Sequence, residues 1–314
     1  MTEEDIRPKL IFDEYLRLTK IDTKVFFGNN VLRESIPCPA CGSIGELSFT
    51  KEDFDYELCP DCDTLFVSPR PINEAFNSYY SNAPSTEYWA TVFYKATSKV
   101  RRDKIWKTKA KSIHQIIKRF GNENYEVVDI GGGYGIFAEV MHSLFGKKTT
   151  VIEPGFHLAN SCREKGINVI EKFLEGVKRS DLPQGCKIFV SFELFEHLHS
   201  PRIFLKQLFG LMQSGDLFVF TTLSGMGFDI QALWEDSKSV SPPHHLNFFN
   251  PYSVKILIEE IGFKVLEIST PGKLDIDILS NNRNLIKDRF LKTFVKYASD
   301  SGWSSHMMIV CQKP

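Results

Sequence analysis

Four of the seven cysteines fall into two close pairs whose spacing suits a metal site. Cys38-Pro-Ala-Cys41 and Cys59-Pro-Asp-Cys62 are separated by 17 residues. Each Cys-x-x-Cys turn directs two thiolates at one centre, and two such turns can complete a tetrahedron around Zn²⁺. Because protein would fill all four positions, the predicted zinc site is structural. A redox dithiol, which needs only one pair, and an iron site are the alternatives.

A glycine-rich turn and a later acid form a second group of residues with chemical potential. The segment Asp-Ile-Gly-Gly-Gly-Tyr-Gly places Gly131, Gly133 and Gly135 between a buried strand and a helix. Glycine lets the backbone turn tightly and approach a ligand closely. Asp129 precedes the turn, where an acid suits a cationic amino group better than a pyrophosphate. Glu153 ends the next strand and can bind both hydroxyls of a ribose.

The same turn permits two other interpretations. Gly133, Gly135 and Ala138 also satisfy the dinucleotide pattern G-x-G-x-x-A. Against a dinucleotide stands Asp129, whose negative charge would lie near phosphates. The remaining alternative is a tight turn that binds no ligand.

Histidines supply the candidates for proton transfer. Ser241-Pro-Pro-His-His-Leu-Asn-Phe-Phe-Asn, with His244 and His245, follows a predicted strand and reads as a loop. A neutral imidazole there can act as a general base. The alternative is a histidine that only orders the loop. Glu196 and His197 are a further acid–base pair, ranked lower because their position after a strand is commonly architectural.

The elements that must position these residues alternate from Tyr125 onward. Hydrophobic runs and helical periodicity predict the following elements: strands at 126–130, 149–153, 188–192, 217–222, 263–269 and 307–312, and helices at 136–145, 157–165, 201–212 and 253–261. Strands that alternate with helices imply an α/β fold with a doubly wound, mostly parallel sheet.

The composition changes along the chain and predicts four regions. They are a helical N-terminal segment over 1–34, a Cys₄ zinc-binding module over 35–75, a helical connector over 76–120, and the α/β domain over 121–314 with an insertion at about 271–305. The cysteine-bearing region is rich in proline and turns, as expected of a module held together by a metal rather than by a core.

At this point the chain resembles the class I S-adenosylmethionine-dependent methyltransferases. Asp129, Gly131, Gly133 and Gly135 match that family's acid-x-Gly-x-Gly-x-Gly motif, and the segment from Ser191 to Pro201 is similar to its Glu-His-x-x-x-Pro segment. The resemblance covers roughly residues 120–270. It implies a seven-stranded Rossmann-like sheet, S-adenosylmethionine as cosubstrate, and a set of cofactor-binding residues: Asp129, Gly131, Gly133, Tyr134, Gly135, Glu153, Phe173, Phe192 and Glu193.

Phe173 is assigned to the adenine ring because the family uses the loop after the third strand for this contact. A core aromatic is the alternative for this residue.

The cysteine pairs and the histidine loop together are similar to zinc-bearing sugar C-methyltransferases. In that family a histidine before a short aromatic stretch serves as base, which corresponds to His245 here. His244 stands where that family has a glutamate, a departure from its pattern. The resemblance implies a small polar acceptor, such as a sugar, a nucleotide-linked sugar or a related metabolite.

Other functions remain open on the sequence. A zinc-ribbon RNA methyltransferase is disfavoured by the net charge of −1, so nucleic acid is not an expected partner. A non-catalytic binding protein is opposed by the intact glycine turn, and a nicotinamide-dependent oxidoreductase by Asp129. The basic helix around Lys99–Lys111 is either a solvated face or a site for an anionic acceptor. Tyr79 and Tyr80 either close over the cofactor or only pack.

The chain shows no signal peptide or membrane-spanning run, which predicts a cytoplasmic protein without membrane insertion. The oligomeric state does not follow from the sequence.

Overall fold

Seven strands form one twisted sheet in which six strands run parallel. The computed structural model describes residues 7–28, 30–121, 124–271, 293–294, 296–297 and 300–314. The strand order is β12-β13-β10-β9-β6-β7-β8, and only β13 runs antiparallel to its neighbours. The predicted α/β fold with a doubly wound sheet is therefore confirmed, and the glycine turn follows the central strand β6.

The strands are bounded as follows: β1 Arg33–Glu34, β2 Glu46–Lys51, β3 Phe54–Leu58, β4 Leu65–Val67, β5 Arg70–Pro71, β6 Glu126–Ile130, β7 Thr149–Ile152, β8 Asn168–Ile170, β9 Lys187–Phe192, β10 Leu217–Leu223, β11 Asn247–Phe248, β12 Lys264–Ser269 and β13 His306–Gln312. The α-helices are α1 Lys9–Phe27, α2 Asn73–Asn82, α3 Pro84–Tyr88, α4 Tyr94–Arg101, α5 Lys107–Phe120, α6 Ile136–Phe145, α7 Phe156–Glu164, α8 Pro201–Leu211, α9 Phe228–Leu233 and α10 Pro251–Ile261.

Both faces of the large sheet are buried, which explains why most residues of its central strands are apolar. Every residue of β9 and β10 is buried. Side chains alternate between the faces, so Val128 packs in one apolar cluster and Val127 in another. Continuous apolar strands of this kind are typical of parallel sheets covered by helices on both sides.

The cysteine-bearing region contributes a second sheet that includes a strand from the α/β domain. Its strand order is β11-β4-β3-β2. Strand β11 follows the two histidines in the sequence, and β4 follows the second cysteine pair; the two strands pair with each other. Cys38, Cys59 and Cys62 lie in the same apolar cluster as Val128 of the large sheet. The cysteine region therefore packs against the α/β domain and shares a sheet with it, and is not joined to it by the chain alone.

Several local predictions differ from the structure. Within the connector, the spacing of Trp106, Ala110, Ile113 and Ile117 predicts one helix over 95–120. The structure instead has α4 and α5 joined by a π-helical turn, Arg102–Trp106, and a second π-helical turn, Trp89–Phe93, precedes α4. The short strands β3, β8 and β11 were not located from the sequence, because two to five residues carry too little periodic signal. The three cysteines outside the pairs lie in helix or strand patterns, which predicts buried packing residues; Cys162 and Cys311 are buried, whereas Cys186 is exposed.

The predicted insertion at about 271–305 lies mostly outside the described residues. Among the residues that the structure does describe, no helix has the length and apolarity needed to cross a membrane.

Candidate functional site

The glycine turn leaves β6 in a conformation that favours glycine at three positions. Gly131, Gly133 and Gly135 have φ of +72°, +55° and +69°. A Cβ at Gly135 would lie 2.6 Å from Ile167 and 2.9 Å from Cys162, whereas a Cβ at Gly133 would meet no heavy atom within 4 Å. Gly135 is thus required by packing. The space at Gly133 is open to a ligand.

Alanine substitutions at these two glycines should separate packing from ligand approach. Each alanine must adopt a left-handed backbone conformation, which should lower the free energy of unfolding by about 1–2 kcal/mol. Gly135→Ala should lose a further 1–3 kcal/mol or so through overlap with Ile167 and Cys162. Chemical denaturation should therefore show Gly135→Ala as the less stable variant, while Gly133→Ala keeps most of its stability and loses cofactor affinity. Equal stability losses would contradict this assignment.

Two buried carboxyl groups flank the turn. Asp129 is 2% exposed and Glu153 is 7% exposed. The Glu153 carboxylate accepts hydrogen bonds from the backbone N–H of Gly133 at 3.0 Å and of Gly155 at 2.9 Å. Burial, with the charge of Glu153 adding to it, raises the pKa of Asp129 to about 7. A cation placed beside Asp129 would favour its ionised form.

Glu193 follows β9 in a strained backbone conformation and lies in a polar network. Its φ is +51°, which is costly for a residue with a side chain. Its carboxylate accepts hydrogen bonds from Lys109 Nζ and Thr221 Oγ1, each at 2.8 Å, and His306 Nε2 lies 3.2 Å away. Burial alone would raise the pKa of Glu193. The charges of Lys109 and His306 outweigh this effect and hold the pKa of Glu193 well below its usual range. This network joins α5 to three strands of the sheet.

Aromatic rings close the space beside Glu193 and the turn. Phe192 contacts Phe137, with ring centroids 4.8 Å apart, and the ammonium of Lys109 lies 4.8 Å from the Phe192 centroid. Tyr134 stacks on Tyr94 of α4 at 4.6 Å. Phe173 is 57% exposed, so it is not a core aromatic. Its contact with adenine stays a prediction.

His245 has a defined tautomer. Its Nδ1 lies 2.6 Å from the carbonyl oxygen of Ser239. A carbonyl oxygen can only accept, so Nδ1 carries the hydrogen and Nε2 keeps its lone pair. Burial, with the neighbouring His197 adding to it, lowers the pKa of His245 to about 3. The ring is therefore unprotonated at neutral pH.

His244 is bound by two tyrosines from distant parts of the chain. Its Nε2 lies 2.8 Å from the hydroxyl of Tyr15 in α1 and 3.2 Å from the hydroxyl of Tyr79 in α2. The Tyr79 hydroxyl also contacts Ser85, whose N–H donates to Asp22 of α1. The N-terminal helix is thereby fixed against the histidine loop. His244 is less available than His245 as a proton acceptor.

Glu196 and His197 lie beside His245 rather than apart from it. Potential ligand atoms of these three residues lie within 4.8 Å of one another. Glu196 is 1% exposed, accepts a hydrogen bond from Thr222, and has a pKa that burial raises to about 8. A carboxyl group so close to His245 could stabilise an imidazolium if one formed there.

The four cysteines of the two pairs converge on one centre. The Sγ atoms of Cys38 and Cys62 are 3.6 Å apart, and those of Cys41 and Cys59 are 3.5 Å apart. Zinc–sulfur bonds of about 2.3 Å in a tetrahedron place sulfur atoms roughly 3.8 Å apart. The two turns also share a hydrogen-bond pattern, in which the N–H of Gly42 donates to the Cys38 carbonyl and that of Asp63 to the Cys59 carbonyl. This donor set fits Zn²⁺.

Several residues around the site were missed by the sequence reasoning. Lys109, Thr221, Ser239, His306 and Tyr15 each contact a predicted site residue. Lys109 lay within the basic helix already noted, but nothing in the sequence separates it from its exposed neighbours.

The family comparison agrees with this geometry. Residues 100–268 match the family described as a methyltransferase domain, a stretch that spans just over half of the 314 residues. The stretch includes the glycine turn, Glu153 and the histidine loop. The chain belongs to this family, and its class is that of the S-adenosylmethionine-dependent methyltransferases.

Solved methyltransferase structures share the fold at low sequence identity. The plantazolicin methyltransferase BamL, solved with a triazolic desmethylPZN analog and SAH, is 16% identical with a TM-score of 0.51, covering 76% of this chain and 93% of its own. BpumL, also a plantazolicin methyltransferase solved with SAH, is 14% identical with a TM-score of 0.50 over 76% and 93%.

A chain of the complex between the Haloferax volcanii Trm112 methyltransferase activator and a putative methyltransferase is 15% identical with a TM-score of 0.51, over 72% of this chain and 96% of its own. At these identities the likeness concerns the fold alone. No curated protein matches the chain.

Proposed function

We propose that this protein transfers a methyl group from S-adenosylmethionine to a small polar acceptor, such as a sugar, a nucleotide-linked sugar or a related metabolite. In this proposal His245 takes up the acceptor's proton and the four cysteines hold a structural zinc ion. The observation that carries the proposal is the unprotonated Nε2 of His245, fixed by Ser239 at the same end of the sheet as the glycine turn.

The donor half of the site follows from the two buried acids. Asp129 would pair with the cationic amino group of the donor, and Glu153, already held by two backbone N–H groups, would accept from the ribose hydroxyls. Gly133 leaves room for the donor to approach the backbone. The donor supplies an electrophilic methyl group, and the protein mainly holds donor and acceptor in line.

The acceptor half must handle a proton. The new bond to the methyl group uses an electron pair of the acceptor, the sulfonium carbon–sulfur bond breaks towards sulfur, and the acceptor's proton goes to Nε2 of His245. Because burial lowers the pKa of His245, the imidazolium needs a compensating charge. The ionised Glu193, whose charge raises the pKa of His245, supplies part of it, and Glu196 would add to it only after losing the proton that its pKa of about 8 retains near neutral pH.

A polar acceptor is favoured by the groups that surround the histidines. Tyr15 and Tyr79 present hydroxyls at His244, and Lys109 with His306 adds two cationic groups around Glu193. These groups are paired with one another, and together they give the space beside the histidines a polar lining that suits a polar acceptor better than an apolar one.

Cofactor binding should depend on pH through Asp129. The pKa of Asp129 is about 7 in the free protein, so a proton must leave before this carboxylate can pair with a cationic amino group. The affinity for S-adenosylhomocysteine should therefore rise about tenfold between roughly pH 5.5 and pH 7 and then level off. Isothermal titration in two buffers with different ionisation enthalpies should count the released proton.

Asp129→Asn should bind more weakly and without this pH dependence, whereas Glu126→Gln on the same strand should behave like the wild type. A flat pH profile in the wild-type protein would remove Asp129 from the assigned role. Failure of the wild type to bind S-adenosylmethionine or S-adenosylhomocysteine below roughly millimolar would reject the enzymatic proposal as a whole. It would favour a non-catalytic protein that keeps this fold.

A further inference from the structure

Arg101 is a cation at the donor site without a matched anion. It ends α4, directly before the π-helical turn Arg102–Trp106. Neighbouring cations have carboxylate partners, since Arg102 pairs with Glu139 at 2.8 Å and Lys109 with Glu193 at 2.8 Å. By contrast, Nε of Arg101 is buried and has no hydrogen-bond partner among the described residues. A buried N–H group left unpaired costs about 1–3 kcal/mol, and more when it is charged.

Two stacked tyrosine rings connect Arg101 to the glycine turn. Its guanidinium carbon is 5.4 Å from the ring centroid of Tyr94, and Tyr94 stacks on Tyr134 with an angle of 16° between the planes. Tyr134 stands between Gly133 and Gly135, where the donor would approach the backbone. The unpaired guanidinium is therefore next to the donor site and not on an outer face of the protein.

Among the described residues no carboxylate forms an ion pair with Arg101, although the charges of Tyr94 and Glu193 act on it. Burial lowers the pKa of Arg101, its contact with Tyr94 opposes this effect, and the charge of Arg7 adds to the lowering. The charge of Arg7 also acts on His245, so Arg7 lies near both Arg101 and His245. The nearby Glu193 is already bound by Lys109 and His306. Two cations brought together in a partly dry site favour an anion between or beside them.

We propose that Arg101 binds an anionic oxygen group, a carboxylate or a phosphate, within the active site. The proposal rests on the function proposed above. The anionic group could belong to either of two molecules: it is the amino-acid carboxylate of the methyl donor or an anionic group on the acceptor. A planar guanidinium suits either, because it can donate two parallel hydrogen bonds to a carboxylate or a phosphate.

The experiment uses Arg101→Gln, with Arg102→Gln as the matched control. Arg102 is the adjacent residue, but its guanidinium is already paired with Glu139. Isothermal titration of the full chain is carried out with S-adenosylhomocysteine, with the analogue that lacks the carboxylate, and with inorganic phosphate in the presence of saturating S-adenosylhomocysteine. Arg101→Lys, which keeps the charge, and thermal denaturation report on folding.

If the donor's carboxylate is the source, Arg101→Gln should weaken S-adenosylhomocysteine about 10- to 100-fold and leave the decarboxylated analogue unchanged. If the acceptor is the source, both nucleoside ligands should bind Arg101→Gln as they bind the wild type, while phosphate binding is lost. In either case Arg101→Lys should recover part of the affinity, and Arg102→Gln should match the wild type.

The proposal is overturned if Arg101→Gln, stably folded, binds S-adenosylhomocysteine and phosphate as the wild type does. It is also overturned if the decarboxylated analogue loses as much affinity as S-adenosylhomocysteine with phosphate binding unchanged, since the effect would then be structural. Failure of the wild type to bind either nucleoside ligand would reject the proposed function instead. Phosphate titrated alone into wild type and Arg101→Gln would then still test the anion site.

Discussion

Loss of the metal from the four-cysteine site is expected to disorder the histidine loop and abolish turnover, while the glycine turn stays folded. Hydrogen bonds join the loop to the cysteine region, among them Val67 N–H to the Leu246 carbonyl, the Tyr56 hydroxyl to the His245 carbonyl, and Asn250 to the Cys62 carbonyl. The β11–β4 pairing adds to them. Zinc contributes about 10–16 kcal/mol in small metal-dependent domains, as much as the whole stability of many proteins.

Hydrogen exchange measures this effect without an acceptor. After treatment with a strong chelator, or in Cys59→Ser, amides of residues 246–250 should lose protection about 100-fold or more. Amides of β6 and β9 should change much less, because their ladder is built within the large sheet. Cys186→Ser, which removes an exposed thiol, should behave like the wild type.

The metal content of carefully prepared protein is measured in parallel. Fewer than about 0.5 equivalents of zinc, in a protein whose histidine loop is nonetheless protected, would contradict the assignment of a structural zinc site. Unchanged protection of 246–250 after complete metal removal would show that β11 is held by the large sheet instead.

Removal of the His245 imidazole should have the second large effect. His245→Ala should lower turnover with an identified acceptor by about 10²–10⁴-fold, the usual contribution of a general base. Affinity for S-adenosylhomocysteine should stay within about twofold of the wild-type value, because the proposed donor contacts lie at the glycine turn. His142→Ala, on the exposed side of α6, is the matched control.

Nitrogen NMR of the wild-type protein checks the state of the ring directly. The hydrogen bond to Ser239 predicts a neutral ring with hydrogen on Nδ1, and the lowered pKa predicts that this form persists well below pH 6. Acidification from neutral pH should therefore not reduce turnover through protonation of His245. A ring that titrates near its usual pKa of about 6.5 would contradict the buried environment.

Two further outcomes would reassign His245. Unchanged turnover in His245→Ala would leave the histidine with an ordering role in the loop. The metal content of the protein could also show a second metal ion in addition to zinc. If His245→Ala and Glu196→Gln each lose that ion, His245 is a metal ligand together with Glu196 and His197.

The α/β fold and the donor half of the site could be predicted because their signals are local. β6, the glycine turn and α6 form one continuous segment, and the acid at Glu153 ends the next strand. Alternating apolar runs and helical periods indicate the parallel sheet, and the carboxyl ends of its strands must meet at one edge. The spacing of the cysteine pairs likewise determined that four thiols could share one centre.

The acceptor half was decided by tertiary structure alone. Tyr15 and His244 are 229 positions apart, and Lys109 and Glu193 are 84 positions apart, so no periodicity in the chain relates them. The pairing of β11 with β4 joins the histidine loop to the cysteine region, yet two residues of strand leave no pattern to read. Local propensity and spacing thus determined which segments are predicted to bind the donor. Only long-range packing decided which side chains surround the histidines, and only it left Nε of Arg101 without a hydrogen-bond partner among the described residues.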